Sequence, residues 1–172
     1  METDNFKINM LVTLILSIIL MAAFFLMLFA AVALVQDRRL LKSAPRDVQA
    51  AMLEHKEPFC GARAIGWTLF IIAILLFPAV SLYGAWDGLR HDFSFWQFAG
   101  RFLVMLYLLK AFDIIFCDWF LLTKSHFFQH FYPETEGCAG YHQFGFNRKE
   151  QLVRIVVFPF VALFEAWICT LF

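Results

Sequence analysis

The sequence predicts an all-α integral membrane protein: a four-transmembrane-helix bundle with short interfacial amphipathic helices on the cytoplasmic side, built as a single membrane domain over residues 1–172. Two observations predict it. Of the 172 residues, 62% are hydrophobic and 16% charged, far from the roughly half-apolar, quarter-charged balance of soluble domains. The apolar residues also gather into four runs, each with the roughly 20 residues a helix needs to cross a bilayer. Fourteen basic residues balance fourteen acidic ones, so no nucleic-acid surface with its excess of Lys and Arg is expected.

The first span, residues 10–36, contains no charge. The preceding METDNFKINM is acidic and the apolar run is too long for a signal-peptide core, so this span is expected to be retained. The second, residues 64–86, carries Pro78, which removes a backbone donor and predicts a kink. The third, residues 98–122, holds Arg101, Lys110, Asp113 and Asp118. The fourth, residues 153–172, carries Pro159 and Glu165. The four cysteines lack the tight spacing of a disulfide framework and are expected to be reduced thiols.

Basic residues set the expected orientation. Loop 37–63 carries Arg38, Arg39, Lys42, Arg46, Lys56 and Arg63, and loop 123–152 carries Lys124, Arg148 and Lys149. The positive-inside rule places both loops in the cytoplasm and both termini outside, with the plasma (inner) membrane as the expected location. Within the first loop, SAPRDVQAAMLEH reads as a short helix, with Ser43 as cap, Pro45 in the first turn, and Val48 and Met52 on an apolar face along the inner leaflet.

Charge inside a bilayer costs several kcal/mol unless paired or hydrated. Lys110 falls near mid-membrane, and Asp113 shares its helical face three residues on. Glu165, on an antiparallel neighbour, falls at a depth between Arg101 and Lys110. The expectation is therefore a buried polar network of Arg101, Lys110, Asp113 and Glu165, serving as a proton or ion relay or as a register-fixing lock.

The stretch HFFQHFYPETEGCAGYH gathers three of the five histidines, a cysteine and two glutamates. At 100° per residue His126, Gln129 and His130 share one face and Phe127, Phe128 and Phe131 the other, the pattern of a membrane-surface helix. His126 and His130 sit at i and i+4, and Cys138 and His142 repeat that spacing, a ligand set suited to Zn or Fe. The order matches no standard zinc motif, and the glutamate of a metalloprotease helix is missing. Asp118, Glu134 and Glu136 are the acid/base candidates beside it.

Three function classes follow. One is a membrane-edge metal protein or enzyme acting on a lipid or hydrophobic small molecule at the inner leaflet. A second is a small transporter or channel using the midplane charges, which at four spans calls for a homo-oligomer. The third is an accessory subunit binding another membrane protein.

Overall fold

The structure, a computed structural model, describes residues 2–41 and 44–172. The described residues contain helices and no strand: α1 (Glu2–Phe29), α2 (Arg46–Ala51), α3 (Ala62–Arg90), α4 (Phe95–Phe112), α5 (Phe127–Phe131) and α6 (Arg148–Cys169). Three helices are long and apolar enough to cross a membrane: Asn9–Val35, Ala62–Arg90 and Arg148–Cys169. The last two run through Pro78 and Pro159.

Two of the long helices change their hydrogen bonding partway. The chain of α1 continues as a π-helix over Ala30–Val35, ended by Gln36 in the left-handed region at φ 51°. The chain of α4 continues as a π-helix over Asp113–Lys124, with Asp113 itself in helical geometry at φ −56° and ψ −51°. In a π-helix each N–H bonds the carbonyl five residues back, a rare arrangement that concentrates at functional sites.

Packing runs α3 to α1 to α4 to α6, with α4 also touching α3. In the most apolar stretch of each, α1 is 39% buried and α3 and α6 17% each, so α1 is the central element and the other two are peripheral. The buried positions on these helices are largely small: Ser17, Ala23, Ala30, Ala73, Ala162 and Ala166. Meanwhile Ile18, Leu75, Leu82 and Phe160 face outward. This inverts a soluble protein and fits helices in lipid, where apolar side chains gain nothing by leaving the solvent and close backbone approach holds neighbours together. Gly66 shows the approach directly: a Cβ on it would lie 2.8 Å from Leu34 Cβ.

A second core sits at one end of the long helices. Val48, Met52, Leu121, Phe128, Tyr132 and Tyr141 are all buried against one another, gathering α2, α5 and the short 3-10 turns Pro133–Thr135 and Ala139–His142 into a folded lobe. The lobe takes up apolar residues that were expected to face a leaflet. Val48 and Met52 of the first loop point into it. Phe128 of α5 does the same. Ser43, the expected cap, lies outside the described residues, and Pro45 stands just before α2 at φ −54°.

Candidate functional site

The lobe is locked by a few polar contacts that cross between its two loops. Glu134 receives the Leu53 N–H at 2.9 Å, and His55 Nε2 lies 3.0 and 3.1 Å from its two oxygens. Burial alone would raise the Glu134 carboxyl, but the hydrogen bonds from Leu53 and His55 outweigh it and hold the group below its ordinary value of 4.5. Asp47 receives the Gly140 N–H at 2.7 Å. A side chain at Gly140 would overlap Asp47 and Pro45, so this contact requires glycine. Thr135, fully buried, donates to the Tyr132 carbonyl at 2.6 Å and meets the Tyr141 hydroxyl at 2.7 Å. Burial, first of all, pushes both tyrosine hydroxyls up from their ordinary range.

Between this lobe and the long helices lies a chamber of about 70 Å³. Its polar groups are Asp113, Cys117 and Asp118, all on the π-helix, and its apolar walls include Phe24, Leu28, Leu122 and Phe128. Asp113 is paired with Lys110, Nζ to Oδ2 2.6 Å, and Lys110 is 5% exposed. Asp118 makes no ion pair among the described residues. It accepts from Asn147 Nδ2 at 3.1 Å and from Gln151 Nε2 at 2.7 Å. Gln151 is itself buried, and its Oε1 has no hydrogen-bond partner among the described residues. The chamber is therefore lined by two carboxylates, one backed by the Lys110 ammonium and the other by an amide pair that can donate or accept.

A separate buried charge sits toward the opposite end. Arg101 Nη1 donates to Asp87 Oδ2 at 2.7 Å and to the Gly84 carbonyl at 2.8 Å, and its guanidinium lies 4.3 Å over the Phe93 ring. The expected four-residue network is thus corrected into parts. Lys110 and Asp113 pair as the spacing predicts, Arg101 is neutralised by Asp87, and half-buried Glu165 makes no hydrogen bond or ion pair among the described residues.

The other expected site residues are not brought together. His126, His130, Glu136 and His142 are exposed, Cys138 is half-buried with its Sγ 3.9 Å from the Asp47 carbonyl, and Glu134 is engaged by His55. No three His, Cys, Asp or Glu side chains converge as a metal site among the described residues. Of the expected acid/base groups, Asp118 lines the chamber and the two glutamates belong to the lobe. Sequence reasoning missed Asp87, Asn147 and Gln151. Asn147 and Gln151 stand at i and i+4 at the start of α6, on one face, an uncharged amide pair aligned with the only unpaired acid of the neighbouring helix.

Comparison with protein-family models, with curated proteins and with solved structures finds no match to this chain.

Proposed function

We propose that the chain is a four-span membrane protein, with Phe95 to Lys124 as the additional span, and that its chamber binds a proton for a transport-type activity. The continuous helical run from Phe95 exceeds the length a span requires. It lies between α1 and α6, and its two buried bases, Arg101 and Lys110, are paired inside the protein. What carries the reading is the charge balance of the chamber: Asp113 is matched by Lys110, while Asp118 is matched only by amides. An uncompensated carboxylate in such surroundings is relieved by a proton.

Gln151 equips the chamber for both states. Its Nε2 donates to ionised Asp118, and its unpartnered Oε1 would accept from the protonated acid after the amide turns over. About 70 Å³ suits a proton with one or two waters and excludes a metabolite. A four-span unit has little room for a pathway of its own, so the active form in this reading is an oligomer.

The test is infrared titration of the protein in lipid, wild type beside Asp118→Asn. A protonated-carboxyl band that grows on acidification in wild type and is missing from the variant supports the reading. Proton flux into dye-loaded vesicles should fall with it. Identical titration and identical flux in the two proteins would overturn it.

A further inference from the structure

Arg101 is 4% exposed, yet only one of its three nitrogens is used by the protein. Nε and Nη2 are buried and have no hydrogen-bond partner among the described residues. These two are not a random pair. Nε–H and the adjacent Nη2–H form one edge of the planar guanidinium, the fork that takes the two oxygens of a carboxylate or phosphate side by side. Buried donors left unsatisfied lose their hydration with nothing in return, so an intact, inward-held fork calls for an acceptor.

The same side chain lines a groove of about 370 Å³ between the first turns of the α1 span and those of α4. Its walls are mostly apolar, including Met10, Leu14, Phe93 and Val104, with Asn9, Thr13 and Gln97 as its other polar residues. Among the described residues no carboxylate lines it, and Asp87 is engaged at Nη1 of the guanidinium. Met10, Leu14 and Val104 are 53%, 41% and 44% exposed, so the groove opens sideways, toward lipid and not toward a loop. Arg101 stands about 9 Å along the helix axis from Phe95, near headgroup depth at that end of the spans.

The geometry points to a lipid site: the groove holds an acyl chain of an anionic phospholipid, and the free edge of Arg101 binds its phosphate. Among the described residues the groove supplies the anion's counter-charge and nothing acidic for a choline or ethanolamine head, which favours a lipid of net negative charge. Asp87 and Gly84 hold Nη1 and so leave the Nε–Nη2 edge uncommitted beside the groove that Arg101 lines, and the Phe93 ring supports the guanidinium plane.

Gly100 makes the inference testable without disturbing the ion pair. It lines the groove, and a Cβ on it meets nothing within 4 Å. Gly100→Phe therefore fills the groove while leaving Arg101 and Asp87 in place. The full-length protein is equilibrated in nanodiscs of phosphatidylglycerol and phosphatidylcholine with added oleate, extracted into neutral detergent, and its retained lipid is counted by native mass spectrometry. Wild type should carry about one phosphatidylglycerol per chain, and Gly100→Phe and Arg101→Lys should each retain it at least about tenfold less, the loss of one bidentate contact. Equal retention by wild type and Gly100→Phe would overturn the inference. So would a wild type that carries no lipid, oleate in place of phospholipid, or phosphatidylcholine as readily as phosphatidylglycerol.

Discussion

Asp113 and Asp118 line one chamber although they are five residues apart, a spacing that α-helical geometry would splay by about 140° around the axis. The π-helix removes the discrepancy. Closing each hydrogen bond five residues along brings i and i+5 to successive turns, as an α-helix does for i and i+4. The wider turn therefore places a second carboxylate beside the first, and α6 supplies the amides that meet it.

Removing the acceptor should cost more than removing the charge. Asn147 and Gln151 both donate to Oδ2, so Asp118→Asn keeps an oxygen for them and loses only the charge that strengthens the bonds, at an expected cost of about 1 kcal/mol. Asp118→Leu leaves both Asn147 Nδ2 and Gln151 Nε2 without their acceptor, and the expected loss rises to about 2–4 kcal/mol. Thermal midpoints in detergent should fall in that order, by several degrees for the leucine variant.

The apolar runs were legible because hydropathy is a local property, and the helices at Asn9–Val35, Ala62–Arg90 and Arg148–Cys169 follow them closely. The Lys110–Asp113 pair was legible because three residues on a helix is a short-range rule. Asp87 was not. It lies one residue past the expected end of the second span, and only the packing of α3 beside α4 brings it to Arg101. The π-helix was hidden too, since an unusual hydrogen-bond register leaves no compositional mark, and at α-helical angles residues five apart do not share a face. The histidine stretch stood out for the opposite reason. Its spacing is local and conspicuous, but the lobe turns Phe128 and Tyr132 inward and leaves His126 and His130 facing out.

The separation of Arg101 and Lys110 into two pairs predicts how mutations combine. Lys110→Met and Glu165→Gln should add to within about 0.5 kcal/mol, because no contact joins those residues among the described ones. Lys110→Met and Asp113→Asn should couple by about 1 kcal/mol or more. A double-mutant cycle on unfolding midpoints measures both.

Asp87→Leu should be among the more damaging single changes in the protein. It strands a guanidinium whose side chain is 1% exposed, and breaking a buried pair from one side costs about 3–5 kcal/mol. Adding Arg101→Met to it should recover most of the loss, since an apolar pair of similar size carries no desolvation cost. Unfolding in denaturant, read by intrinsic fluorescence, compares the three proteins.

Gly140→Ala tests whether the lobe is docked or merely adjacent. The added methyl overlaps Pro45 and Asp47, and overpacking of this kind costs about 1–3 kcal/mol. The strain falls between the two loops and not between the long helices. Protease cleavage within residues 125–147 should therefore accelerate while the cores of α1 and α3 stay protected, which peptide mapping after limited digestion would reveal.

Acid should loosen the same lobe through Glu134. Its carboxyl lies below the ordinary 4.5 when folded, burial being outweighed by the bonds from Leu53 and His55, so the unfolded chain binds the proton more readily than the folded one. The carboxylate's contribution is thus fully present above 4.5 and is lost as pH falls through the depressed folded value. Wild type should accordingly become more susceptible to cleavage within 125–147 as pH drops from 6 into that range, read with an acid-active protease whose own rate is normalised on an unfolded substrate. Glu134→Gln cannot ionise and should be more easily cleaved at pH 6, with a smaller further change on acidification. A pH response of equal size in the variant would assign the loosening to another group.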